Sequence, residues 1–188
     1  MFKHIPNILT IIRFLLIPVI VVFCLQENYI LAIIFLTVSG ITDILDGLIA
    51  RKYNLITDFG KLMDPLADKA TQVSLLTILV IKNMIPIWIL VIVVLKEFCM
   101  VSGASFLYGK ELVVSSKWYG KLATVLFYLA IVTSLVVEQL QGMIQFNVTL
   151  VKNINIAIYY AAVVTTVMSL LLYMKAFYVQ GYLKNNAK

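Results

Sequence analysis

Charged residues are scarce in this sequence. They make up 13% of the 188 residues, against about 25% in an average globular protein, while apolar types reach 62%. There are only two cysteines, Cys24 and Cys99, and each lies inside an apolar run without the spacing of metal ligands. These shortages exclude a disordered chain, and they argue against an ordinary water-soluble domain and against a disulfide or redox pair.

Long polar linkers are also absent, and the length fits a single domain over residues 1–188. The mean hydropathy is +1.01, and six apolar runs are long enough to cross a hydrocarbon layer of about 30 Å. The sequence therefore predicts an all-α, polytopic integral membrane protein with six transmembrane helices. The predicted spans are residues 8–25, 29–50, 61–81, 85–107, 118–138 and 155–177.

The net charge of +6 does not indicate nucleic-acid binding, because the fifteen Lys and Arg residues are scattered between the apolar runs. Most of them lie near span ends that share one side of the predicted topology, and only Lys82 and Lys152 lie on the other. The positive-inside rule then places both termini and the loops after spans two and four in the cytoplasm. We expect a cell-membrane protein whose most charged segment lies at the cytoplasmic face.

All five aspartates occur between positions 43 and 68. Asp43 and Asp46 share a face toward the end of span two. A lone ionised carboxylate facing lipid near the bilayer centre would cost at least about 2.5–3.5 kcal/mol, so both are expected to lie near the interface, face a wet cavity or be neutralised. Asp64 and Asp68 share a face of span three, and Pro65 is expected in its first turn. Two helices can thus present two carboxylates each to one cleft.

Four converging carboxylates need compensating cations. Oxygen ligands suit hard divalent ions, so the cluster predicts a site for Mg²⁺ or Mn²⁺, with room for two ions. The chemistry that commonly pairs such clusters with a nearby arginine, here Arg51, is phosphoryl transfer. The alternative is that these aspartates act as solvated helix caps and form surface salt bridges. Their paired spacings, with Gly47 and Ala50 on the same face, make this alternative less favourable.

The aspartate segment resembles the complete signature of the CDP-alcohol phosphotransferase family, membrane enzymes that move a phosphatidyl or similar group from a CDP-linked donor to an alcohol and release CMP. Six helices, this length and cytoplasmic termini are similar to the family as well. The matching positions are Asp43-x2-Asp46-Gly47-x2-Ala50-Arg51-x8-Gly60-x3-Asp64-x3-Asp68.

The resemblance implies a role for each matching residue. Asp68 would be the general base toward the acceptor hydroxyl, and Gly47 and Arg51 would contact the CDP part of the donor. Thr57 is a weaker match to the same nucleotide site. The implied metal ligands are Asp43, Asp46, Asp64 and Asp68.

The first span carries a second likeness. Residues 6–13 are similar to the first-helix segment of bacterial phosphatidylglycerophosphate synthases and of the cardiolipin synthases that share this fold. Asn7, Thr10 and Arg13 lie on roughly one face of this helix. Arg13 inside an apolar run requires an anionic partner, and the family supplies a metal-site carboxylate or a substrate phosphate.

Two further segments resemble the acceptor pocket of phosphatidylglycerophosphate synthases. The chain departs from that pattern at Lys96, where an arginine is expected, and at Ala123, where a second lysine is expected. Lys96, Lys117 and Lys121 still offer three cations to a small anionic acceptor. The resemblance implies transfer from CDP-diacylglycerol to glycerol 3-phosphate, and the departures keep phosphatidylglycerol open as the acceptor of a cardiolipin synthase.

Other classes of membrane protein fit less well. Prenyltransferases also set paired aspartates and Mg²⁺ against a diphosphate, but they are longer and divide these motifs between two loops. An ion transporter with intramembrane carboxylates would not explain Ala50 and Arg51 or a single cytoplasmic cluster. The expected partners are CDP-diacylglycerol, the acceptor alcohol, membrane lipids and a second copy of the chain in a homodimer, with no nucleic acid.

Overall fold

The computed structural model describes residues 5–53, 58–106, 118–141 and 148–185. Within these ranges the chain forms six helices and no strand, as the composition predicts. They are α1 (Ile5–Leu25), α2 (Tyr29–Lys52), α3 (Asp58–Ile81), α4 (Ile87–Phe106), α5 (Trp118–Leu140) and α6 (Val148–Asn185).

Local polar residues explain two of the helix boundaries. Asn28 caps α2, since its side-chain oxygen accepts a hydrogen bond from the Leu31 amide at 3.3 Å. Glu27 and Asn83 take positive φ angles of 62° and 57° at the turns after α1 and α3. Lys82 Nζ lies 2.6 Å from Glu27 Oε1, which joins these turns and holds the pKa of Glu27 below its usual range.

The described helices bury polar groups and expose apolar ones. Arg13, Asp46, Gln72 and Lys96 are buried between helices, while large apolar side chains point outward from all six helices. Four helices, α1, α2, α5 and α6, contain segments long and apolar enough to cross a membrane. This distribution suits a chain whose surroundings are lipid. Among the outward-facing residues are Leu15, Ile44, Leu66, Phe98, Val125 and Leu171.

Helix packing brings α1, α2, α3 and α5 together around the buried polar residues. α1 packs on α2 and α3, and α5 packs on α6 and also contacts α2 and α3. The apolar core between the helices includes Ile20, Leu76, Phe127 and Tyr159. The polar ends of α2 and α3 are thereby held against α1 and α5.

Two sequence predictions about boundaries were wrong. α6 begins at Val148 and not near residue 155. A helix that extends beyond the apolar layer no longer needs apolar residues there. Lys152, in the first turns of α6, pairs with Glu138. Pro65 lies inside α3 and not in its first turn, because α3 already begins at Asp58.

Candidate active site

Arg13 links three aspartates from two other helices. Its Nη2 atom lies 2.7 Å from Asp43 Oδ1 and 2.5 Å from Asp46 Oδ2, and its Nη1 atom lies 3.3 Å from Asp68 Oδ1. The Arg13 side chain is only 2% exposed. The need for an anionic partner, predicted from its apolar surroundings, is thus met by carboxylates of the aspartate motif.

The fourth aspartate of the motif is also bound by α1. Thr10, one turn before Arg13, donates from Oγ1 to Asp64 Oδ1 at 2.6 Å. The predicted common face of Thr10 and Arg13 therefore faces both halves of the motif. Asp43 and Asp68 remain roughly half exposed, with 41% and 45% of their side chains accessible, whereas Asp46 is buried.

The donor set around Arg13 consists of carboxylate oxygens and a hydroxyl, which fits Mg²⁺ or Mn²⁺ and does not suit a soft metal. Across the described ranges, no three Asp, Glu, His or Cys side chains stand close enough to ligate one ion. A guanidinium lies among three of the four carboxylates in this arrangement, and its single positive charge formally offsets one of their three negative charges.

A cavity of about 370 Å³ adjoins this cluster. Asp43, Asp68 and Arg13 form part of its wall, and five further helical residues that carry a hydroxyl group line the same space. Gly40 borders it from α2, and a Cβ atom added there would meet nothing within 4 Å. The hydroxyl residues are Thr37, Ser39, Thr71, Thr124 and Tyr128.

A second charged cluster lies between α3 and α4. Lys96 Nζ and Lys69 Nζ lie 2.6 Å and 2.8 Å from the same oxygen, Glu97 Oε1. Two cations and one carboxylate leave a formal surplus of one positive charge, and Lys96 is buried. This surplus suits a small anionic ligand.

Sequence reasoning missed Lys69 and Tyr128. Lys69 directly follows the last aspartate of the motif, and that adjacency was the available signal. Tyr128 has no such signal, because an aromatic residue in an apolar span resembles many others. Only the packing of α5 on α3 brings it to the cavity.

The remaining predicted site residues are less fully described. Gly47 lies on α2 one position after Asp46, and Lys121 is exposed on the first turn of α5. Asn7 and Arg51 lie on α1 and α2, with side chains outside the described part. Thr57 and Lys117 also lie outside the described residues.

Residues 3–168 match the family model described as CDP-alcohol phosphatidyltransferase. The chain belongs to this family. The match covers five of the six helices and most of α6. Every described aspartate of the motif that contacts α1 falls within it.

Curated relatives in this family fall into two groups by name. A Bacillus subtilis protein named CDP-diacylglycerol--glycerol-3-phosphate 3-phosphatidyltransferase is 32% identical over 64% of this chain and 70% of its own length. An Aquifex aeolicus protein of the same name is 33% identical over 69% of this chain and 74% of its own length. A Drosophila melanogaster protein named "Probable cardiolipin synthase (CMP-forming)" is 40% identical over 54% of this chain and 32% of its own length.

Proposed function

We propose that the protein transfers the phosphatidyl group of CDP-diacylglycerol to a hydroxyl of glycerol 3-phosphate and releases CMP. The observation that carries the proposal is the convergence of Asp43, Asp46 and Asp68 on Arg13 beside the cavity of about 370 Å³. The names of the Bacillus and Aquifex relatives support this donor and acceptor.

The four motif aspartates would hold two divalent ions, either Mg²⁺ or Mn²⁺. All four offer carboxylate oxygens, and the two half-exposed ones face the cavity. When bound, such ions supply Lewis-acid stabilisation of charge on the diphosphate. The proposed ligands are Asp43, Asp46, Asp64 and Asp68.

Asp68 is the proposed general base. Its contact with Arg13, at 3.3 Å, is longer than those of Asp43 and Asp46, and its carboxylate is accessible from the cavity. It would take the proton of the acceptor hydroxyl while that oxygen forms a bond to the lipid-linked phosphorus. The bond from this phosphorus to the CMP oxygen breaks in the same displacement, and CMP leaves with the electron pair.

The nucleotide of the donor would lie toward the ends of α2 and α3. Gly47 allows close approach of a ligand to the α2 backbone, and Arg51 offers a planar fork to a phosphate. Thr57, between the two halves of the motif, is proposed as a weaker contact to the same nucleotide.

The acceptor phosphate would lie near the Lys69–Glu97–Lys96 cluster. The cluster carries a surplus positive charge, and one of its cations, Lys69, directly follows Asp68 in the chain. Lys117 and Lys121 are further proposed contacts to this phosphate. Asn7, Thr10 and Arg13 are proposed to border the substrate site from α1.

Phosphatidylglycerol is the second candidate acceptor, which would make the protein a cardiolipin synthase. Ala123, where a second lysine is expected, is 2% exposed and borders the same narrow gap as Lys96 and Glu97. The acceptor pocket thus lacks one cation that would hold a free phosphate. The name of the Drosophila relative supports this alternative.

We also propose that all six helices span the cell membrane, with both termini and the catalytic cavity at the cytoplasmic face, and that the protein forms a homodimer. The distribution of Lys and Arg along the sequence supports this orientation. Reaction with cytoplasmic glycerol 3-phosphate would then need no transport of the acceptor.

The test is release of CMP from CDP-diacylglycerol by the purified protein in detergent micelles containing Mg²⁺ or Mn²⁺. Glycerol 3-phosphate, phosphatidylglycerol, inositol 1-phosphate and serine are supplied as separate acceptors. We expect release with glycerol 3-phosphate; release with phosphatidylglycerol alone would favour the second candidate, and release with none would contradict both.

The same assay tests the base. Asp68→Asn should abolish transfer, while the variant remains extractable and still binds CDP-diacylglycerol. Turnover by this variant at the wild-type rate would contradict the role of Asp68. Asp58→Asn is a suitable control because Asp58 lies outside the family signature.

A further inference from the structure

Tyr128 contacts the main chain at the proposed general base. Its hydroxyl donates a hydrogen bond to the carbonyl oxygen of Asp68, with a distance of 3.2 Å between the two oxygens. Tyr128 is on α5, whereas the side chains that hold the motif aspartates in the described structure, Thr10 and Arg13, are on α1. The bond therefore links α3 to α5 at this residue.

The bond meets a need of each partner. A buried tyrosine hydroxyl usually finds an acceptor, and a helical carbonyl keeps a second lone pair after it has accepted its helix hydrogen bond. The aromatic ring also borders the cavity that contains Asp43, Asp68 and Arg13. Tyr128 thus belongs to the cavity wall and reaches the backbone behind it.

Asp68 has a particular need for such support. Its carboxylate is 45% exposed, and its contact with Arg13 is the longest of the three that Arg13 makes with the motif. A base must lie within hydrogen-bond reach of the proton it takes, and a misplacement of about 1 Å can cost about 100-fold in rate. The contact with Arg13 alone therefore does not fix the Asp68 carboxylate, and the position of the α3 backbone has to do so.

We propose that Tyr128 is a positioning residue for Asp68, holding the α3 backbone so that the carboxylate faces the acceptor hydroxyl. This inference rests on the proposed role of Asp68 as base. It assigns to α5 a part in catalysis that is separate from acceptor binding.

Tyr128→Phe tests the inference because it removes the hydroxyl and keeps the ring. We expect kcat to fall about tenfold, with KM for CDP-diacylglycerol and for the acceptor within twofold of wild type. Tyr159→Phe is the matched control, since Tyr159 is a buried tyrosine whose hydroxyl lies 3.1 Å from Ser134 Oγ, away from the cavity. It should leave kcat unchanged.

A double variant separates positioning from general loosening. If Tyr128 acts through Asp68, adding Tyr128→Phe to Asp68→Glu, which keeps a carboxylate but moves it by one methylene, should lower the rate by less than it does in the wild type. An unchanged kcat in Tyr128→Phe, equal losses in Tyr128→Phe and Tyr159→Phe, or full additivity with Asp68→Glu would overturn the inference. Absence of CMP release by the wild-type protein would instead overturn the proposed function, so the wild type is assayed first.

Discussion

Arg13 donates from Nη2 to Asp46 Oδ2 at 2.5 Å, and both side chains are almost completely buried. The pair joins α1 to α2 in the part of the molecule where α3 adds Asp68. An isolated charge of either sign would be costly in this apolar interior. Each buried charge is therefore stabilised by the other. The same contact contributes to the fold and to the proposed site.

Replacement of Arg13 should affect stability and activity together. Arg13→Ala leaves Asp46 buried without its cation, which should lower the free energy of unfolding by about 3–5 kcal/mol and abolish CMP release. Arg13→Lys keeps the charge but loses the fork that reaches three aspartates with two nitrogens, so we expect an intermediate loss. Thermal unfolding in detergent and the CMP assay measure the two effects.

The exposed pair formed by Lys82 and Glu27 is the control for Arg13. Lys82→Gln should change the melting temperature by no more than a few degrees and should leave the activity unchanged. Equal effects of Arg13→Ala and Lys82→Gln would contradict the central position given to Arg13.

Thr10 should control the affinity for the divalent ion through Asp64. Thr10→Val removes the hydroxyl that donates to Asp64 Oδ1 at 2.6 Å and keeps the shape of the side chain. We expect the Mg²⁺ or Mn²⁺ concentration for half-maximal activity to rise about tenfold, because a freed carboxylate is less well oriented. Thr10→Ser retains the hydroxyl and should stay within about threefold of wild type; a similar rise in both variants would exclude the hydrogen bond as the cause.

The lysine cluster should determine affinity for an anionic acceptor. Lys96→Gln and Lys69→Gln each remove one of the two cations on Glu97 Oε1. We expect KM for glycerol 3-phosphate to rise about tenfold in each, with KM for CDP-diacylglycerol little changed. Steady-state kinetics of CMP release measure both constants.

Lys152→Gln is the control for charge alone, because Lys152 pairs with Glu138 away from this cluster. It should leave both KM values unchanged. A rise in KM for the donor instead of the acceptor would assign Lys69 and Lys96 to the nucleotide site.

Gly40 should tolerate a side chain structurally but not functionally. Gly40→Leu would extend into the cavity beside Asp43, where an added Cβ meets no atom within 4 Å. We expect turnover to fall more than about tenfold while the melting temperature does not fall, because replacing a helical glycine favours the helix by about 0.5–1 kcal/mol. Gly40→Ala should keep more activity with the same stability, and full activity of Gly40→Leu would show that substrate does not use this part of the cavity.

Much of the fold could be predicted because apolar runs in a membrane protein indicate helices almost directly. The ends of α1, α2 and α3 agree with the sequence prediction to within about three residues. The early start of α6 could not be predicted, since nothing in the polar stretch around Lys152 marks a helix once the apolar run has ended.

The site was predictable where it follows from spacing along one helix. Asp43 and Asp46, and likewise Asp64 and Asp68, were assigned to common faces, and the contacts of Arg13 and Thr10 agree with that assignment. The joint contact of Lys69 and Lys96 with Glu97 depends on how α3 meets α4. Spacing within one helix carries no information on such pairs.

The contacts of Arg13 have a consequence for biogenesis. α1 leaves the ribosome before α2 and α3, and its arginine then has none of the three carboxylates that later surround it, because these are on α2 and α3. An unpaired arginine in the middle of a span costs about 2.5–3.5 kcal/mol on insertion scales. Stable membrane integration of α1 should therefore be delayed until the carboxylates of α2 and α3 have been synthesised.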